Sequence, residues 1–195
     1  MDFTLTQDQQ MMVATAEQIA EHFGPEYWRE MDEKGEYPQE FLDEIGKQGF
    51  FGLPVPEKYG GLGMGLTELA LVMEAMCRGG GGGGPSLGYL FGLIGSLSIQ
   101  HHGNDEQKTK YLPATAVGEK TCAFALSEPD AGTNSMNIKT FAEKDGPNYV
   151  INGSKWFITN IQNCDTLLLV ARTDKPEEGR SRAGGISLFL IDLPQ

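Results

Sequence analysis

The residues best suited to chemistry lie in two polar stretches between positions 121 and 160. The first, ALSEPDAGT at residues 125–133, ends a short apolar run with a cluster of turn-forming residues. The second, NGSKWFITN at residues 152–160, opens with Asn-Gly, a strong hairpin signal, between two runs of β-branched and aromatic residues. Hydroxyls can bond the polar edge of a ligand, small residues let the backbone approach closely, and an aromatic can cover a flat face. Together the stretches predict a site for a flat, partly apolar ring with polar edges.

In their order and spacing, these two stretches resemble the acyl-CoA dehydrogenase family. ALSEPDAGT is similar to the first signature of that family, and GSKWFITN at residues 153–160 is similar to its second flavin-contacting segment. The resemblance extends to PEKYGG at residues 56–61 and EQK at residues 106–108, so it covers the whole chain. One such motif is a weak signal, but several in the order of the family are specific.

The resemblance implies FAD as the cofactor and an acyl-CoA thioester as the substrate. Ser127 matches the position whose hydroxyl and backbone bond the polar edge of the flavin. Phe157 matches an aromatic that packs on the ring, and Thr159 matches a hydroxyl near its reactive nitrogen. Thr133 matches a serine that meets the CoA arm in many relatives. The full set that matches the flavin contacts is Phe124, Ala125, Leu126, Ser127, Phe157, Ile158 and Thr159.

Each of these residues has a simpler interpretation when it is taken alone. A Thr or Phe on a strand usually serves strand packing, and Ser-Glu-Pro-Asp is usually only a turn. The ordered set favours the flavin site. Trp156 alternates with Phe157 along a predicted strand, so we expect it to face the opposite side, in the core.

The apolar pattern changes from helical to alternating near residue 120. The sequence therefore predicts an α+β chain, with an N-terminal all-α domain at residues 1–119 and an antiparallel, barrel-like β-domain at residues 120–195 that is incomplete. Strands are predicted at residues 122–126, 138–141, 149–151, 155–159, 166–171 and 186–191. A charged surface loop is predicted at residues 175–182.

The helical part carries several local signals. Thr6 and Gln9 form a candidate capping box, and residues 32–35 are predicted to be a charged connector. Six consecutive glycines at residues 79–84 predict a flexible tether, since a phosphate-binding loop would also need Lys and Ser or Thr. The next helix is apolar nearly all round and is predicted to be buried. Its glycines at 88, 92 and 95 permit close helix packing or leave room for an acyl chain. Pro113 is predicted to end the last helix.

Composition excludes several classes of partner. The formal net charge of −12 disfavours nucleic acid and anionic membrane surfaces. The three cysteines have no metal-ligand spacing and predict reduced thiols, without a metal site or disulfide framework. Because the N-terminus has no signal-peptide pattern and residues 87–99 are too short to span a bilayer, we expect a cytoplasmic protein without membrane segments.

The resemblance implies an oxidoreductase acting on a CH–CH bond, an acyl-CoA dehydrogenase that passes electrons to an electron-transfer flavoprotein and forms a homo-oligomer. Its catalytic base belongs to a further helical domain, so we expect no catalytic residue in this chain and no turnover by residues 1–195 alone. An acyl-CoA oxidase or a flavin monooxygenase of the same superfamily is an alternative. A non-catalytic interaction module is another.

Overall fold

The structure, a computed structural model, describes residues 3–174 and 184–194. The chain divides into two compact units, residues 1–120 and 121–195. The first unit is helical and the second contains a five-stranded sheet, so the prediction of helices followed by strands is confirmed. The loop predicted at residues 175–182 lies outside the described residues. None of the helices in the described part is both long and apolar enough to cross a membrane.

The helices of the first unit begin and end largely where local signals indicate. In chain order they are α1 (Gln7–His22), α2 (Pro25–Lys34), α3 (Gln39–Lys47), α4 (Leu66–Met76), α5 (Gly83–His102) and α6 (Asp105–Ala116). The predicted capping box is present, because the Gln9 N–H donates to the Thr6 hydroxyl at 3.2 Å and the Thr6 N–H donates to the Gln9 side chain at 2.9 Å.

Two predicted helix boundaries are wrong. Residues 32–34 belong to α2, which ends only at Gly35, where the backbone is left-handed (φ 64°). Pro113 lies inside α6, which continues to Ala116. Because proline has no N–H, α6 lacks one backbone hydrogen bond here, and the helix continues for only three more residues.

The core of the first unit combines aliphatic and aromatic side chains. Phe23 and Trp28 each meet the ring of Phe41 edge to face, with ring centroids 5.5 and 4.8 Å apart. The hydroxyl of the fully buried Tyr89 donates to the carbonyl of Phe50 at 2.5 Å. Burial raises the pKa of Tyr89, so the phenol stays protonated and the hydrogen bond is kept.

The six-glycine run is packed against two helices, and the predicted flexible tether is wrong. Cys77–Gly81 forms a wide π-type turn, and Gly83 already begins α5. A methyl group at Gly79 would lie 2.2 Å from the Cβ of Ala20 on α1. One at Gly81 would lie 2.4 Å from the indole of Trp28 on α2. Glycine is required at both positions because a larger residue would push the connection away from these helices.

Helix α5 is largely buried, as predicted, because none of the described side chains of residues 88–100 is exposed. Leu93 is fully buried, whereas Leu87 is 53% exposed. A methyl group at Gly92 would lie 2.3 Å from the ring of Phe51, and one at Gly88 would touch α3. These two glycines therefore face the core of the helical unit and serve close packing.

The sheet of the second unit is mixed and open. Its strands are β1 (Cys122–Ala125), β2 (Phe141–Asp145), β3 (Asn148–Asn152), β4 (Thr166–Arg172) and β5 (Ile186–Asp192). Strand β4 is central: β5 pairs with it antiparallel, while β1 and the start of β2 pair with it in parallel. Strand β3 is antiparallel to β2. The expectation of an antiparallel, barrel-like arrangement is therefore too specific.

Two predicted strands and one hairpin are wrong. The chain turns at Gly146 (φ 58°), between β2 and β3, and it leaves the sheet after Asn152. Residues 138–140 and 155–159 are consequently outside the strands. Gly153 packs so closely on Thr140 that a methyl group would lie 2.3 Å from the hydroxyl oxygen. This glycine therefore permits a close approach of two backbones instead of a two-residue hairpin turn.

The packed glycine run predicts unequal effects of the same substitution at two of its positions. Gly79→Ala should lower the free energy of unfolding by about 1–3 kcal/mol, since the new methyl meets backbone atoms of Ala20. Gly83→Ala is the matched control, because Gly83 has no neighbour within 4 Å and its φ lies outside the left-handed region. We expect the control to be neutral or to stabilise by about 0.4–1 kcal/mol. Urea unfolding of both variants provides the measurement, and equal effects would support a flexible tether.

Candidate functional site

The first predicted segment forms a tight turn directly after β1. Glu128 and Ala131 exchange two backbone hydrogen bonds, at 3.0 and 3.1 Å, around Pro129 and Asp130. The turn-forming residues identified in the sequence therefore do form a turn. The carbonyl of Ser127, just before it, accepts the N–H of Trp156 at 2.8 Å. This hydrogen bond joins the first segment to the second.

The second segment runs beside the first without joining the sheet. Phe157 adopts a left-handed backbone (φ 55°), and its side chain is 88% exposed. Its ring meets that of Trp156 edge to face, with centroids 5.7 Å apart. Trp156 is itself 50% exposed, so its predicted place in the core is wrong. The alternation rule fails here because residues 155–159 are not a strand.

Asn160 closes the second segment with another left-handed backbone (φ 66°). Asparagine tolerates this conformation better than most residues. Its side chain is buried, and within the described residues its Oδ1 has no hydrogen-bond partner. Thr159, directly before it, is exposed.

Three predicted hydroxyls are available to a ligand. Ser127 is half-buried, and Thr133 and Thr159 are exposed. In the part of the chain that the structure describes, none of these hydroxyls makes a hydrogen bond to protein. The two segments therefore offer hydroxyl groups and exposed aromatic rings.

Two of the three residues predicted beneath the ring, Phe124 and Leu126, belong to a small apolar cluster. Ala125 is buried, while Phe124 and Leu126 are partly buried against Ala131 and Ile138. This packing fixes the end of β1 from which the first segment starts.

A buried ion pair that was not predicted from the sequence connects the two segments. The Lys155 ammonium donates to Glu128 Oε1 at 2.8 Å and to the Leu126 carbonyl at 2.9 Å. Glu128 also accepts the backbone N–H of Lys139 at 2.6 Å and of Thr140 at 3.0 Å. The side chains of Lys155 and Glu128 are only 9% and 5% exposed. A signal is present in the sequence, since the first segment carries two acidic residues and the second carries one lysine.

The carboxylate of Glu128 is strongly stabilised in its charged form. Burial acts to raise its pKa, but the hydrogen bonds from Lys155 and from the backbone at Lys139 and Thr140 outweigh this effect. The pKa falls from an ordinary value of 4.5 to about 2. Glu128 is therefore ionised at neutral pH, as an ion pair requires.

Metal and thiol chemistry find little support. In the described ranges, no group of His, Cys, Asp and Glu side chains is arranged to hold a metal ion. The three cysteines are free. Burial raises the pKa of the Cys122 and Cys164 thiols, which keeps both protonated at neutral pH and poorly nucleophilic.

Both units match described protein families. The family described as "Acyl-CoA dehydrogenase, N-terminal domain" matches residues 6–119, and "Acyl-CoA dehydrogenase, middle domain" matches residues 123–195. The chain is 38% identical over 192 residues to the short-chain-specific acyl-CoA dehydrogenase of Clostridium acetobutylicum, an alignment that covers 98% of this chain and 49% of that protein.

Solved structures give the same result. Butyryl-CoA dehydrogenase from Megasphaera elsdenii superposes with a TM-score of 0.86 at 32% identity, covering 98% of this chain and 50% of the other. The FAD complex of PigA superposes with a TM-score of 0.88 at 29% identity, covering 99% and 50%. The chain spans about half the length of the curated relatives it matches.

The helical unit and the mixed-sheet unit are thus the N-terminal and middle domain types of one enzyme class. The chain belongs to the acyl-CoA dehydrogenase family.

The depressed pKa of Glu128 predicts a specific acid sensitivity. Because this pKa is about 2 in the folded chain and 4.5 ordinarily, ionised Glu128 stabilises the fold fully above pH 4.5. The contribution, about 3 kcal/mol, is lost as the pH falls towards 2. Glu128→Gln removes the titration, so the stability difference between wild type and variant should shrink by about 3 kcal/mol between pH 5 and pH 2.

The measurement is urea unfolding followed by fluorescence of Trp156 in a Trp28→Phe background, since the chain has two tryptophans. A stability difference that stays constant over this pH range would contradict the assignment.

Proposed function

We propose that the full-length protein is an FAD-dependent acyl-CoA dehydrogenase that introduces a double bond between the α and β carbons of an acyl-CoA thioester. The observation that carries the proposal is the hydrogen-bonded pairing of the segments that contain Ser127 and Trp156, in a chain of this family. The paired segments carry unbonded hydroxyls and exposed aromatic rings, which suit a flat ring with polar edges.

In the proposed site each residue acts on one part of the cofactor or substrate. The hydroxyl and backbone of Ser127 bond the polar edge of the flavin, and Phe157 covers a face of the ring. Phe124, Ala125, Leu126 and Ile158 form the remaining protein surface against the ring. Thr159 donates its hydroxyl near the reactive nitrogen, and Thr133 binds the CoA arm. When bound, FAD accepts the hydride from the β carbon.

The proton from the α carbon requires a base, which we place outside residues 1–195. Electrons leave to an electron-transfer flavoprotein, and the protein works as a cytoplasmic homo-oligomer. The electron acceptor and the oligomeric state rest on the family.

The test uses the full-length protein. Purified protein should be yellow, contain stoichiometric FAD, and lose its visible flavin absorbance when an acyl-CoA is added without oxygen. After photoreduction without oxygen, slow reoxidation in air supports a dehydrogenase, whereas fast reoxidation supports the oxidase alternative. A protein that neither binds FAD nor is bleached by any acyl-CoA would leave the non-catalytic module as the interpretation.

The proposed roles of the two exposed threonines predict different kinetic effects of the same substitution. Thr159→Val removes a hydrogen bond to a group that gains charge, worth about 1.5–3 kcal/mol, so flavin reduction at saturating acyl-CoA should slow by about 10- to 150-fold. Thr133→Val should raise the acyl-CoA concentration needed for half-saturation and leave the limiting rate unchanged.

Stopped-flow measurement of flavin reduction separates the two effects. Circular dichroism serves as the control that both variants are folded. Unchanged reduction in Thr159→Val would refute the role of Thr159, and a slower limiting rate in Thr133→Val would refute that of Thr133.

A further inference from the structure

The ion pair between Glu128 and Lys155 lies within the proposed flavin site, but neither residue is among the expected flavin contacts. Each segment supplies one partner. Glu128 directly follows Ser127, and Lys155 precedes the exposed aromatic pair by one residue. The pair is therefore placed to act on the flavin through the residues beside it.

Lys155 bonds to the residues on both sides of Ser127. Its ammonium donates to the carbonyl of Leu126 at 2.9 Å and to the carboxylate of Glu128 at 2.8 Å. The carbonyl of Ser127 itself accepts the N–H of Trp156 at 2.8 Å. Three consecutive residues of the first segment are thus bonded to two consecutive residues of the second, which fixes how Ser127 lies relative to the aromatic pair.

Glu128 extends this connection to a third segment. Its carboxylate accepts the backbone N–H groups of Lys139 and Thr140 directly before β2. Thr140 in turn is in close contact with Gly153, at the start of the second segment. The carboxylate therefore anchors both segments to the sheet.

The charges of the pair act on their surroundings as well as on each other. Both side chains are more than nine-tenths buried. A charge that is shielded from water interacts strongly with a neighbouring group whose charge changes, as a flavin does on reduction. In the intact pair the two charges largely cancel, whereas either one alone would favour or oppose that reduction.

We propose that Glu128 and Lys155 are positioning residues for the flavin, which hold Ser127 against the segment with Phe157 and Thr159 and keep the charge beside the ring balanced. This inference rests on the proposed function.

The test compares three single variants of the full-length protein, all checked for folding by circular dichroism. Lys155→Met removes the buried positive charge, and Glu128→Gln removes the buried negative charge. Asp130→Asn is the matched control, because it makes the same acid-to-amide change in the same turn. Asp130 pairs with Lys139 at 2.7 Å, but both of these side chains are at least 70% exposed.

Affinity for FAD should fall by about tenfold or more in both buried-site variants, as expected when a preorganised site is loosened. The flavin reduction potential should move in opposite directions, downward in Lys155→Met and upward in Glu128→Gln, because the uncompensated charges have opposite signs. The control should match wild type within about twofold in affinity, since an exposed pair contributes little. A purely structural role would not produce shifts of opposite sign.

The double variant Glu128→Gln/Lys155→Met covers the case in which a single variant does not fold, because it leaves no unpaired buried charge. We expect it to fold, to keep a reduced FAD affinity, and to show a reduction potential near that of wild type. The inference is overturned if the folded variants bind FAD as wild type does, or if both single variants shift the potential in the same direction. It is also overturned if the double variant recovers full affinity for FAD. The same holds if Lys155→Met, Glu128→Gln and the double variant all fail to fold.

Failure of the proposed function gives a different result. In that case the wild-type protein itself would not bind FAD or be reduced by acyl-CoA. A normal wild-type flavoprotein with unaffected variants would refute only the role of the ion pair.

Discussion

The hydrogen bonds and the ion pair of the buried Glu128 carboxylate hold together the candidate site of the second unit. The segments around it lie outside the strands, so the ladder of backbone hydrogen bonds does not hold them in place. A buried charge is costly unless it is paired and hydrogen-bonded, and Glu128 meets this condition only when three separate stretches of chain come together. Its requirement for partners therefore selects one arrangement of those stretches.

Local signals in the sequence predict much of the helical unit. The capping box at Thr6 and the apolar face of α1 depend only on residues within one or two turns, so they can be read directly. The glycine run could not be read in this way. Whether Gly79 is free or packed depends on Ala20, which is distant in sequence, and only the folded structure brings the two together.

In the second unit, the hairpin forms at a different glycine from the predicted one. Asn152-Gly153 predicts a hairpin turn, but the hairpin forms at Gly146, between β2 and β3. Gly153 instead permits close contact with Thr140, and the residues that follow it leave the sheet. The predicted strand at residues 155–159 and the predicted burial of Trp156 both depended on the hairpin and fail with it.

The sequence indicates which residue types form the candidate site, but it does not indicate the buried ion pair that holds its two segments together. Ser127 and Thr159 stand out because hydroxyls at these spacings match a family motif. Glu128 and Lys155 do not, since charged residues in polar segments usually face solvent. Their burial depends on contacts between stretches that are distant in sequence, and neither motif contains that information.

The backbone conformation of Phe157 shows how the contacts between the two segments can affect the affinity for a flat ligand. A bulky residue with φ 55° is strained by about 1–2 kcal/mol, and an exposed ring recovers little of that by packing. The strain is maintained from both ends, by the Trp156 hydrogen bond to Ser127 and by the left-handed turn at Asn160. Because these anchors already hold the ring outward, a flat ligand that binds against it does not have to order the segment. The free energy that would otherwise be used for ordering then contributes to affinity, which is how a buried ion pair can strengthen binding without touching the ligand.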